Sequence, residues 1–200
     1  MSFAILSALL GFAFVTTVTP GPNNLMLMAS GANFGFRRTL PHMIGIVGGM
    51  SVMALLVGGA GLMALFDAVP ALNLVLKVIS AGYLLWLAVK IATAAPLEER
   101  GADSRPMTFL QAATFQWVNP KAWAMCLSAV TLYAPDRSLL SVAIVAAAFT
   151  LVCFPAISVW AWLETVVRQW LSNATRLRAF NITMAASLVA SIYPVLGLAA

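Results

Sequence analysis

The sequence is dominated by apolar runs that are too long for a soluble fold and too often interrupted to be plain spanning rods. A helix needs about twenty apolar residues to cross hydrocarbon, whereas a buried core helix uses roughly ten to fourteen. Several runs here exceed the longer figure. With 62% hydrophobic residues, 8% charged residues and a mean hydropathy of +0.96, a chain of 200 residues has no soluble core large enough to hide them. The predicted class is an all-α integral membrane protein. The opening run MSFAILSALLGFAFVTTV has no basic residue ahead of it and continues beyond its prolines, so it reads as a retained membrane segment rather than a signal peptide.

Six segments are predicted, at residues 2–32, 39–66, 69–94, 107–134, 138–163 and 180–198. The polar stretch APLEERGADSRP, residues 95–106, lies at the centre and divides one membrane domain into halves, 1–94 and 107–200. Each half holds three segments. Three is odd, so the halves enter the membrane in opposite orientations, which is the arithmetic of an inverted repeat. The first segment of each half is broken by proline: Pro20 and Pro22 in one, Pro120 in the other. Matching interruptions of this kind are the best sequence pointer to the binding site of a transporter.

The net charge of +5 would suggest nucleic acid as the partner of a soluble protein, but here the cations sit in loops and the expected partner is lipid. Arg37, Arg38, Lys90, Arg100, Arg105, Arg168, Arg176 and Arg178 fall on one side, and Arg137 and Lys77 on the other. The positive-inside rule makes the larger group cytoplasmic and puts both termini of a six-span chain outside; a first segment that does not fully cross would give five crossings and an inner N-terminus. Trp160, Trp162 and Trp170 are expected near the inner boundary, where amphipathic rings collect. Lys77 is near enough to the outer surface to snorkel.

A proline leaves the carbonyl four residues earlier without its helical partner. The freed carbonyls are those of Thr16, Val18 and Gln116. Lipid cannot satisfy them, so broken backbone at membrane depth is expected to line a cavity. Beyond each break a half-helix begins, with Pro22 and Pro120 suited to its first position and Asn119 to its cap, and its N–H groups and dipole attract anions. Gly21, Asn23 and Asn24 lie at the same depth as the first break. Lys121 lies near the middle of its segment, beyond snorkelling reach, where an ammonium costs at least roughly 2.5 to 3.5 kcal/mol. No acidic residue lies deep in any segment to pair with it, which leaves its charge for an anion that comes and goes.

Other features have plainer readings. Gly45 and Gly49 are in GxxxG register, which favours close helix packing and permits a homodimer equally well. Trp117 and Trp123 flank the NPK stretch as cavity walls or as packing. His42 is read as structural, and Cys126 and Cys153 as small apolar residues with neither disulfide nor metal spacing. No metal or cofactor is expected.

The combination of TPGPNNLMLMASGANFGFRRTLPHMIGIVGG with TFQWVNPKAWAM and YLLWLAVKIA resembles the LysE/RhtB-type family of bacterial amino-acid exporters over nearly the whole chain. The resemblance implies an inner-membrane exporter driven by the proton-motive force. It also implies roles for Pro20, Gly21, Pro22, Asn23 and Asn24 in one half, and for Asn119, Pro120 and Lys121 in the other. Members that export basic amino acids carry an acidic residue after the glycines of the second helix, where GIVGGMSVM has Met50 and Ser51. A neutral substrate is therefore expected: homoserine, threonine, a branched-chain residue, cysteine or O-acetylserine.

The expected mechanism seats the substrate carboxylate at the half-helix N-termini near Lys121 and its ammonium on the freed carbonyls, with the halves rocking around the site. Lys121 is the candidate for proton coupling. A heavy-metal or other small-solute exporter on the same fold is the alternative, although ligands for a metal along the path are missing from the sequence. A membrane-embedded enzyme would need a catalytic cluster that a single histidine and boundary acids do not supply.

Overall fold

Proline and glycine set the helix boundaries. The first apolar run forms α1, Phe3–Val18, and restarts as α2, Pro22–Phe34, after a break at which the axis bends by 55°. In this computed structural model residues 1–69, 71–94, 105–170 and 173–192 are described. They are helical between short turns, with no strand among the described residues. After α2 come α3, Phe36–Gly59, α4, Leu62–Ala68, and α5, Ala71–Ala92. The second half holds α6, Phe109–Phe115, a 3-10 turn at Gln116–Val118, α7, Pro120–Tyr133, α8, Leu139–Trp170, and α9, Ala174–Ala190.

Three boundaries depart from the sequence reading, one of them the end of the fifth segment, since α8 runs beyond residue 163 to Trp170. The second segment does not run on to residue 66: α3 stops at Gly59, Gly61 turns the chain in the left-handed region at φ 71°, and α4 follows as a short separate helix. The last segment starts earlier than residue 180, because Asn173 accepts the Thr175 N–H at 2.8 Å and caps α9 there. Most of the predicted linker, residues 95–104, and the end of the last segment, residues 193–198, lie outside the described residues.

The centre of the protein is the antiparallel pair α3 and α8. Gly58 faces Val142 near one end, and farther along Ser51 and Thr150 share a hydroxyl contact of 2.7 Å. Helices α1 and α2 flank α8, α6 and α7 flank α3, and α5 packs on α9. The outward faces carry Leu74, Val78, Val89, Leu151 and Val159, all exposed, which is the surface that lipid rather than water would cover. Among the described residues three helical stretches are long and apolar enough to cross a membrane: Phe36–Gly59, Leu74–Ala92 and Leu139–Leu163. The bent pair α1 and α2 makes a fourth if it counts as one span.

Candidate functional site

The two proline breaks meet. Pro22 opens α2 and Pro120 opens α7, each in the first turn where its missing N–H costs nothing. Asn119 caps α7 by accepting the Lys121 N–H at 3.2 Å. Gly21 stands in the cap position of α2 and brings no side chain, so the first N–H groups of α2 are left open where those of α7 are covered. The reason for a glycine there is contact rather than backbone conformation: its φ of −171° suits any residue. A Cβ at Gly21, however, would lie 2.6 Å from Lys121 Cδ and 3.1 Å from Nζ. The lysine stem crosses that gap, and its ammonium donates to the Thr19 carbonyl in the opposite break.

A cleft opens around this crossing. From the first half it takes Thr16, Thr17, Gly21, Asn23 and Asn24, and from α3 Ile46 and Met50. From the second half it takes Asn119, Lys121, Ala122 and Met125, and from α8 Cys153 and Ile157. The lining therefore carries one fixed cation, an uncapped helix terminus, amide and hydroxyl groups and apolar walls. That set suits a small solute with a carboxylate and an uncharged side chain. Among the described residues no group of three or more His, Cys, Asp or Glu side chains comes together.

A family model described as LysE type translocator matches residues 14–191. The chain belongs to this family. Similar relatives are the cysteine/O-acetylserine efflux proteins of Escherichia coli (strain K12), Escherichia coli O6:K15:H31 (strain 536 / UPEC) and Shigella sonnei (strain Ss046). Each is 35% identical over 122 residues, 60% of this chain and 61% of the relative's length. No solved structure matches it. Family membership and the membrane-length helices together make this LysE-type chain a membrane protein.

Of the residues singled out in the sequence of this LysE-type translocator, Thr16, Gly21, Asn23, Asn24, Asn119 and Lys121 line the cleft, while Val18, Pro20, Pro22, Gln116 and Pro120 stand behind it. Two of the three freed carbonyls are met within the chain. Val18 accepts from the Trp160 indole at 3.2 Å, and Gln116 from the Asn119 N–H at 3.2 Å. Asn24 donates from one amide to the carbonyls of Thr17 and Thr19, at 2.9 and 3.0 Å, stitching the bend closed. Gln116 matters through its side chain, which is fully buried and bonded to Asn23, Asn119 and the Ala112 carbonyl.

Several side chains were not legible as site residues. Trp160 sits against the first break, where its indole donates to Val18. Cys153 lines the cleft beside Lys121 instead of serving only as packing. Met50, known from the sequence only as the place where an acid is missing, is itself a wall of the cleft. Trp117 and Trp123 pack edge to face at 6.0 Å, and Trp123 donates to the Trp117 carbonyl at 2.9 Å; neither lines the cleft.

Proposed function

We propose that this LysE-type protein exports neutral amino acids or their derivatives across the bacterial inner membrane, with cysteine and O-acetylserine as leading candidates. The carrying observation is Lys121, which reaches from one proline break across Gly21 to the Thr19 carbonyl of the other, inside a cleft with no acid in its lining. A substrate carboxylate takes the open N-terminus of α2 and the Lys121 ammonium, displacing the latter from Thr19. The substrate ammonium goes to the Thr16 carbonyl, whose helical partner would have been the N–H that Pro20 lacks. Met50 and Ile46 offer no charge to a cationic side chain, which favours neutral substrates. The names of the relatives agree with a small polar amino acid.

The architecture we infer is six spans in two inverted halves, 1–94 and 107–200, with a cytoplasmic linker and the main basic loops inside. Supporting this, exchanging the halves maps the packing of α1 on α8 onto that of α6 on α3. It also maps α2 on α8 onto α7 on α3, and carries the pairs α3–α8 and α5–α9 onto themselves. Such a pseudo-two-fold arrangement around a midplane site suits alternating access by rocking. Export is coupled to protons, with Lys121 as the carrier, and the protein works as a monomer or as a homodimer through its glycine faces.

The test is Lys121→Met. Efflux of the substrate is expected to be abolished while membrane insertion and abundance are unchanged. Undiminished efflux at equal abundance overturns the assignment. A panel of amino acids, scored for toxicity on deletion and for accumulation outside on overexpression, identifies the substrate. A metal-sensitivity screen of the same deletion strain tests the alternative of a metal exporter.

A further inference from the structure

Most hydroxyl side chains in the described membrane helices follow one habit, and Thr17 and Ser80 are buried without it. Ser7 and Thr16 in α1, and Thr19 just beyond its end, each donate to the carbonyl one turn back. So do Ser51 in α3, Thr150 and Ser158 in α8, and Thr183 and Ser187 in α9. That bond is how a hydroxyl is satisfied where no water is available. Thr17 is 5% exposed, and its Oγ1 makes no well-formed hydrogen bond of that kind or any other.

The hydroxyl is not lost in packing, because Thr17 lines the cleft. Cys153 of α8 lies beside both Thr17 and Lys121, and its thiol, a weak acceptor, is the side-chain group that faces the hydroxyl. The other buried hydroxyl without a partner among the described residues, Ser80, is on α5 and does not line this cleft. A buried hydroxyl with only a weak thiol acceptor beside it, at the edge of a ligand cavity, gains by exchanging that neighbour for a stronger partner that arrives with the ligand. The remaining walls, Ile46, Met50, Met125 and Ile157, are apolar, so Thr17 is placed to distinguish a polar side chain from an aliphatic one of similar size.

We propose that Thr17, with Cys153 at its side, forms a side-chain subsite that hydrogen-bonds a hydroxyl, thiol or ester oxygen on the transported amino acid and disfavours aliphatic side chains. This rests on reading the cleft as an amino-acid site. A pocket built to hydrogen-bond its ligand penalises an analogue lacking the group, because the pocket's own polar atom is then left unpaired. A shape-matched apolar replacement removes that penalty. The preference, rather than transport as such, should therefore depend on the hydroxyl.

The experiment uses the full-length protein in proteoliposomes and measures uptake of labelled serine, cysteine, O-acetylserine, alanine and valine. In Thr17→Val the ratio of polar to aliphatic transport is expected to fall roughly three- to tenfold, the range of one neutral hydrogen bond. Thr17→Ser, which keeps the hydroxyl, keeps the preference. A ratio unchanged in Thr17→Val, with the wild type active, overturns the subsite alone. A wild type that carries none of the five overturns the exporter reading together with it. An independent measurement needs no variant: alkylation of Cys153 by N-ethylmaleimide, read by mass spectrometry, should be slowed by serine more than by valine. Equal protection by the two overturns the subsite.

Discussion

Asn23 and Gln116, 93 residues apart, exchange two amide hydrogen bonds: Asn23 Nδ2 donates to Gln116 Oε1 at 2.9 Å, and Gln116 Nε2 donates to Asn23 Oδ1 at 3.2 Å. The pair ties the first break to the second and holds the cleft's two sides in register. Removing Gln116 strips the half-buried Asn23 amide of both bonds, whereas removing Asn23 leaves Gln116 its bonds to Asn119 and Ala112. The costs are therefore at most about 1–3 kcal/mol, and smaller for the loss of Asn23. Asn23→Ala and Gln116→Ala should each lower the thermal unfolding midpoint in detergent. The double variant should lose less than the sum, with a coupling of about 1 kcal/mol in the cycle. Strict additivity would mean that the pair carries no energy of its own.

Gly21→Ala is expected to act on Lys121 alone. The backbone at Gly21 is extended and tolerates a side chain, so strain is not the issue. The new methyl would occupy the space of Lys121 Cδ and push the ammonium away from Thr19. Efflux should fall by at least tenfold, about 1.4 kcal/mol of lost positioning, while abundance and melting change little. In a Lys121→Ala background, where efflux is already abolished, the same glycine change should cost no melting temperature. A loss there would show that Gly21 acts independently of the lysine.

The breaks were legible because proline cannot supply an N–H and Pro22 and Pro120 come clustered with glycine or asparagine at the half-helix starts, whereas Pro41 and Pro155 are carried inside α3 and α8. Their partners were not legible. Counting four residues back assumes a straight helix, whereas the chain bends by 55° and the loosened carbonyls are met by Asn24 and by Trp160, 142 residues from Val18. A tryptophan eligible for an interface gives no sign in sequence that it reaches a distant break. Cys153 was hidden for a similar reason, since a cysteine in an apolar run looks the same facing a cleft or a core. The end of α3 was misread because hydropathy continues through Ala60 and Gly61 while the backbone does not.

Asp136 lies in the turn between α7 and α8, fully exposed, and accepts from the Ser141 hydroxyl at 2.6 Å. That bond, followed by one from Ser138, holds its carboxyl below the usual carboxylate range. A group depressed in the folded state contributes stability above its unfolded pKa and loses that contribution as pH falls through the folded value. The wild type should therefore lose a small increment of melting temperature below about pH 4. Asp136→Asn should remove that part of the slope and leave the neutral-pH behaviour nearly intact. Identical slopes in the two proteins from pH 3 to pH 6 would show that the serine bonds carry no linkage.

The glycines of α3 divide sharply by what faces them. A Cβ at Gly45 would run into the Phe109 carbonyl, and one at Gly49 would come within 2.7 Å of the Ala113 carbonyl and 2.9 Å of Gln116 Cγ. Backbone cannot step aside, so α6 would have to move, carrying Gln116 and the second break with it. Gly48 meets only the edge of the Phe109 ring at 3.4 Å, which can rotate. Overpacking against backbone costs typically about 1–3 kcal/mol. Gly45→Ala and Gly49→Ala should each lower the unfolding midpoint and reduce efflux. Gly48→Ala should be neutral, or stabilising by up to about 0.5–1 kcal/mol, because alanine is the better helix former. Combining Gly45→Ala with Gly49→Ala should cost less than the two losses added, since one displacement of α6 relieves both clashes. Equal effects at all three positions would mean that the α3–α6 contact is not what these glycines serve.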